Sequence, residues 1–283
     1  MFVLSFFSQC PPREKARLLL AAALFLVFCA YGAAQRPAAV NAVLGSQTAR
    51  NGFKNEDEVR DKFNNWKADG DARKWLWVMG YKPDEIVSVA AAKPHDEKSD
   101  VDVVVTTKKG TGKQGISIKL VSSLNGFNQL DKRWLSHYTK MWKIPADVEA
   151  ALKLFVGETP PRKGSRNASR MFLDEMTPAE QSAVIKFFNA NRERILHDLF
   201  TGDGPHAANW FMVAQKTDHT RWVLTRDVDA IHFFGDGKIE LTRNGNLKIG
   251  RITVQRKGGD GGRDTAKMLQ FKINPASLFA FMN

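Results

Sequence analysis

The chain has 283 residues, with 42 Lys and Arg against 30 Asp and Glu and a formal net charge of +12 at pH 7. At 43% hydrophobic and 25% charged it is ordinary globular material, which excludes a disordered or collagen-like chain, and its length suffices for a sizeable core. The cationic excess favours a polyanionic partner, nucleic acid or an acidic membrane surface. Residues 1–39 hold Arg13, Lys15, Arg17 and Arg36 against Glu14, so +9 remains on the rest. Both cysteines, Cys10 and Cys29, precede residue 30, which excludes a disulfide scaffold or a Cys-based zinc site in the body.

Leu18 to Ala34 reads LLLAAALFLVFCAYGAA without a charge, behind three basic residues. That pattern fits a signal peptide, is marginal in length as a membrane span, or lies upstream of a true start at Val40. Next, Val59, Phe63 and Trp66 mark one face of a helix over 56–66, with Asn55 as its cap. Residues 85–89 read as a short strand. SDVDVVVTT (99–107) and GISIKLV (115–121) read as two strands of a hairpin around a Lys/Gly-rich turn at 108–115.

The spacing predicts helix across 128–156, then a Pro/Gly/Arg loop. Thr177, Pro178 and Glu180 form a capping box for a further helix. Strands follow at 210–215, 221–225, 248–256 and 268–273. Nothing divides 40–283, so the expectation is a single α/β domain behind an extension at 1–39.

The hairpin carries the chemistry. Alternate strand residues share a face, so Asp100 and Asp102 point together, as do Ser117 and Lys119 on the neighbouring strand. A carboxylate beside a lysine that follows a polar group by two residues is the PD-(D/E)xK nuclease pattern. Carboxylate oxygens hold Mg²⁺, and the lysine orients or deprotonates water and offsets phosphorane charge. A solvated surface strand carries such residues too, and spacing alone leaves both readings open. KGTGKQ (109–114) lacks full phosphate-loop spacing, and the six histidines show no paired ligand spacing. VQRKGGDGGRDT (254–265) suits either base-edge contacts or a flexible basic turn.

Longer stretches narrow the choice. LGSQTARNGFKNE (44–56), KSD (98–100), IKLVS (118–122), GFNQLDKRWLSHY (126–138), GETPP (157–161), VAQK (213–216), GRITVQRKGGDGGRDTAKMLQFKI (250–273) and PASLF (275–279) occur in order. Through them the chain resembles the HinP-type type II restriction endonucleases, which cut GCGC, over essentially all of 41–279. The resemblance implies a restriction-endonuclease-like mixed sheet flanked by helices, and Mg²⁺-dependent hydrolysis of double-stranded DNA with two ions per active site. It also implies a homodimer and a cognate DNA methyltransferase. Ser99 and Asp100 match the family's Ser-Asp pair and Lys119 its catalytic lysine, whereas Ser117 stands where the family has Gln.

Asp102 is expected to compensate in part by binding the second cation directly or through water, and Glu56 to orient a metal-bound water. Phe127 is expected to wedge into the DNA stack, aided by Asn128, Gln129 and Lys132. Gln255, Arg256, Lys257 and Asp260 are the candidate base readers. A noncatalytic DNA-binding protein on the same scaffold is the alternative. A restriction enzyme works where foreign DNA enters, in the cytoplasm, which favours the upstream-start reading of 1–39.

Overall fold

In a computed structural model of the protein, residues 38–259 and 262–282 are described. The apolar 18–34 stretch, both cysteines and Asp260 lie outside them. The first helix, α1, runs Ala38–Asn64. Asn55 is therefore not its cap but sits mid-helix, 2% exposed, because the helix-forming residues ahead of it let the helix begin well upstream. The apolar face is as predicted: Val59 and Phe63 are fully buried and Trp66 nearly so. Helix α2, Gly70–Val78, starts at Asp69, whose carboxylate accepts from the Ala72 N–H at 2.9 Å, and buries Trp75 and Leu76 in the same cluster.

Five strands form the first sheet: β1 (Ile86–Ala92), β2 (Val101–Thr107), β3 (Gly110–Val121), β5 (Trp210–Lys216) and β6 (Thr220–Arg226), in the order β1-β2-β3-β5-β6. The β3–β5 pairing is parallel and the others antiparallel. The expected turn at 108–115 contracts to Lys108 and Lys109, and 110–115 continues as strand, paired with β2 from Thr107↔Gly110 onward. Its glycines fit close neighbours. A Cβ on Gly115 would lie 2.1 Å from the Ala207 carbonyl oxygen.

On one face of this sheet Val101, Val103, Val105, Ile116 and Ile118 pack with α1 and α2. Each such buried aliphatic side chain contributes roughly 1.5–3 kcal/mol. On the other face Phe211 and Val213 join the larger cluster.

Residues 128–156 are not one helical stretch. Asn128–Arg133 is strand β4, followed by α3 (Leu135–Trp142) and α4 (Ala146–Val156). In β4 only Leu130 is buried, and pairing with β10 (Leu269–Ile273), not a local apolar period, fixes it as strand. The second sheet is antiparallel throughout, β4-β10-β9-β8-β7, with β7 Ile239–Leu241, β8 Leu247–Ile249 and β9 Ile252–Arg256. The strand expected over 248–256 is split at Gly250, whose φ of 53° turns the chain.

Helix α5 (Pro178–Ala190) opens on the Thr177/Glu180 capping box as predicted. Helices α6 (Arg192–Phe200) and α7 (Asp227–Gly235) and the short α8 (Leu278–Met282) complete the architecture. The result is a mixed α/β fold of two sheets flanked by helices, with Ala42–Asn283 forming one compact unit. Among the described residues no helix is long and apolar enough to cross a membrane.

Candidate active site

The face of β3 opposite Ile116 and Ile118 is polar and looks toward β4. Between them opens a cleft of about 550 Å³ lined by Lys98, Asp100, Ser117, Lys119, Gln129 and Asp131, among others. Asp100 precedes β2 and is fixed by its backbone, the N–H donating to the Ile116 carbonyl at 2.8 Å. Its Oδ2 accepts from the Ile118 N–H at 2.6 Å and from Ser117 Oγ at 3.4 Å. Lys119 Nζ donates to Ser117 Oγ at 3.2 Å and stands 3.8 Å from Asp100 Oδ2. The serine hydroxyl thus bridges lysine and carboxylate, and among the described residues no side-chain or backbone donor engages Asp100 Oδ1.

Glu56 reaches the same locality from α1. Burial, then the Asp100 charge, pushes its carboxyl above the usual range against the opposing pull of Lys93 and Lys119. Lys93 Nζ lies 3.0 Å from it. Lys98, in the wall of the cleft, is held down to about 8, chiefly by burial. Arg133 partly neutralises the acidic wall, contacting Asp131 at 3.0 Å and Asp198 at 3.1 Å.

Asp102 shares the face of Asp100 but does not line the cleft. It is 6% exposed. Its Oδ1 accepts from Ser99 Oγ at 2.6 Å, while Oδ2 meets Lys113 Nζ at 2.7 Å and His206 Nδ1 at 2.5 Å. Burial alone would raise its carboxyl. Hydrogen bonds from Lys113, Ser99 and His206 together hold it below the usual range. With both oxygens engaged it is not disposed to take the second cation expected of it. Ser99 also donates its N–H to the His206 carbonyl at 3.0 Å, so its hydroxyl and backbone serve this network rather than the cleft.

Among the described residues no three Asp, Glu, His or Cys side chains converge on one point. Asp100 Oδ1, with Glu56 nearby, instead suits Mg²⁺, which keeps several waters and takes phosphate oxygens alongside one or two carboxylates.

The expected DNA contacts divide. The Phe127 ring is 51% exposed, Gln129 and Lys132 are exposed, and Gln255 and Lys257 are half-buried at the β9 end. Asn128 instead donates its side-chain N–H to the Leu120 carbonyl at 2.7 Å. The Arg256 guanidinium turns back onto protein, donating to the Ala266 carbonyl at 3.1 Å and Ser169 Oγ at 2.7 Å. Three participants escaped the sequence reading. Lys98 lay inside the quoted KSD motif, but His206 and Lys113 join Asp102 only through the folded topology.

The mixed two-sheet fold and the carboxylate–lysine hairpin are those of a restriction-endonuclease-like nuclease. The backbone resembles a crystal structure of restriction endonuclease MspI in complex with its cognate DNA. That match has a TM-score of 0.55 and 14% identity, and covers 77% of this chain and 87% of that one. The family model described as R.HinP1I restriction endonuclease matches residues 79–279, and the chain belongs to that family. It is accordingly a type II restriction endonuclease, a hydrolase acting on DNA. No curated protein matches the chain.

Proposed function

We propose that the protein is a Mg²⁺-dependent, site-specific endonuclease that cuts double-stranded DNA at GCGC, leaving 5′-phosphate and 3′-hydroxyl ends. The observation that carries this reading is the Asp100–Ser117–Lys119 cluster at the wall of a cleft shared with Gln129. Asp100, through Oδ1, and Glu56 would hold the cation, with Ser117 Oγ beside them. When bound, Mg²⁺, two ions per site in this reading, would supply Lewis-acid polarisation of the phosphodiester and offset of developing charge.

Lys119 donates to and orients the attacking water, whose proton passes to bulk solvent. The water oxygen forms a bond to phosphorus as the P–O3′ bond breaks, and the departing 3′ oxygen takes up a proton. Ser99 and Asp102 act as positioning residues behind Asp100.

Phe127 wedges between bases, and an exposed ring in a loop of polar neighbours supports that role. Gln129, Lys132, Gln255, Lys257 and Asp260 supply DNA contacts, while Asn128 and Arg256 brace the elements that present them. Two copies act together on the palindrome, and a methyltransferase of the same specificity protects the host DNA in the cytoplasm.

The test is incubation of the full chain with Mg²⁺ and a sequenced plasmid, followed by mapping of the ends, beside Lys119→Ala. Cuts confined to GCGC by the wild type, and binding without cutting by the variant, are expected. Cuts at another sequence overturn the specificity, and unchanged cutting by Lys119→Ala overturns the site.

A further inference from the structure

Gln270, on β10, was not among the sequence-derived candidates, and it is only 8% exposed. Its strand neighbour Phe271 turns inward to the core opposite Val254, so Gln270 belongs to the outer face of the second sheet. There it faces Gln255 of β9 directly and Gln129 of β4 diagonally. The three amides form a ladder. Gln255 Nε2 donates to Gln270 Oε1 at 3.5 Å, and Gln270 Nε2 donates to Gln129 Oε1 at 3.1 Å.

We infer that Gln270 is a specificity-determining positioning residue, which sets the orientation of Gln129 and Gln255 toward the base edges of the bound duplex. The inference rests on the proposed reading of those two residues as DNA contacts.

The argument is one of hydrogen-bond polarity. An isolated glutamine amide rotates freely and offers a base either its NH₂ or its carbonyl, so it discriminates poorly. In the ladder the central amide uses its donor on one side and its acceptor on the other. Gln129, its oxygen engaged, is left presenting its NH₂. Gln255, its nitrogen engaged, is left presenting its carbonyl. The two outer amides therefore offer opposite characters, one matching an acceptor such as guanine O6 or N7 and the other a donor such as the cytosine amino group. The ladder also joins two parts of the proposed recognition surface, because Gln129 lines the cleft and Gln255 lies near the end of β9, just before the glycine-rich segment. Gln270 touches no DNA itself in this arrangement.

The test is cleavage of a duplex pool with a randomised central block, in Mg²⁺, with the cut ends sequenced. Gln129→Leu, Gln255→Leu, Gln270→Leu and Gln270→Glu are compared with wild type. Gln270→Leu is expected to raise cutting at one-base variants of the preferred site about tenfold relative to that site, within the range of a base-specific contact. At those one-base variants kcat should rise more than KM falls, because Gln129 is tied through Asn128 to the strand that carries Lys119. Gln270→Glu accepts from both neighbours and forces the Gln129 amide to turn, so it should change the preferred base at one position rather than broaden it. In a Gln129→Leu/Gln255→Leu background, Gln270→Leu should add nothing, whereas a merely structural role would lower activity there as well.

If the outer variants broaden the pattern while Gln270→Leu keeps wild-type selectivity, the positioning role is overturned. If both outer variants themselves cut the wild-type pattern, the reading of Gln129 and Gln255 as base contacts fails first, and this inference with it.

Discussion

Asp102→Asn separates a positioning role from metal ligation. The carboxylate is buried, with Ser99 on one oxygen and Lys113 and His206 on the other. Asparagine retains an acceptor for Ser99 but turns an NH₂ toward two donors. Breaking a fully buried ion pair costs about 3–5 kcal/mol. The Lys113 side chain is 38% exposed, however, and regains water, so the loss is nearer the value of one charge-assisted hydrogen bond, about 2–3 kcal/mol. At roughly 2–4 °C per kcal/mol for a domain of this size, the unfolding midpoint should fall by about 4–12 °C.

The same loosening frees Ser99, whose N–H bonds the His206 carbonyl next to Asp100. Cleavage should therefore slow while the Mg²⁺ concentration giving half-maximal rate stays put, because in the proposed site Asp100 rather than Asp102 holds the cation. The assay pairs thermal unfolding by circular dichroism with a Mg²⁺ titration of cleavage well below the midpoint. An unchanged midpoint with a several-fold higher Mg²⁺ requirement would refute the reasoning and make Asp102 a metal ligand.

Other outcomes follow from individual contacts. Phe127→Ala should weaken binding of cognate duplex about tenfold or more, measured by fluorescence anisotropy, with no fall in thermal stability. A ring 51% exposed contributes little to the core, so a large fall would make it structural. Gly115→Ala places a Cβ 2.1 Å from the Ala207 carbonyl oxygen. It should cost about 1–3 kcal/mol in denaturant unfolding, as overpacking does, and slow cleavage by displacing the His206 segment. Glu180 is held down to about 2, first by the Arg162 hydrogen bond and further by Thr177. A lowered folded pKa means stabilisation present above the unfolded value near 4.5 and lost as pH falls toward 2. Glu180→Gln should lower stability at pH 7 by at most about 1 kcal/mol, since the Arg162 side chain is 46% exposed. That deficit should shrink across this pH window.

What was legible in the sequence was what local chemistry determines. The apolar face of Val59, Phe63 and Trp66 emerged because helical period and burial agree, and the Thr177/Glu180 box because a cap needs no distant partner. Asp100, Ser117 and Lys119 emerged because two strands joined by a short turn have a register the sequence nearly dictates. The misreadings share a cause. Residues 128–133 carry mixed polar residues and become strand only by pairing with β10, more than 130 residues downstream. Asn55 looks like a cap only if the helix starts beside it. The engagement of Asp102 by His206, supplied by a distant loop, likewise has no sequence signal.

The arrangement of β3 and β4 gives a physical reason for cutting to depend on recognition. A single stretch of 17 residues, Ser117 to Arg133, runs from the catalytic strand through the Phe127 loop into the strand bearing Gln129. The loop is tied at both ends. Asn128 donates to the Leu120 carbonyl at 2.7 Å, one residue past Lys119, and Asn274 donates to the Leu124 carbonyl at 2.9 Å. In the proposed site a force on the Phe127 ring is thus transmitted through one side-chain hydrogen bond to the backbone beside Lys119. Gln129 is held in turn by Gln270. A wrong base pair that keeps the ring from seating or the amide from pairing displaces a segment hydrogen-bonded to the β3 backbone. Reaction rates fall steeply with ångström-scale misplacement of reacting groups. Discrimination in the cleavage rate should therefore exceed discrimination in binding, and Asn128→Ala, which cuts the tie without touching DNA, should narrow that difference.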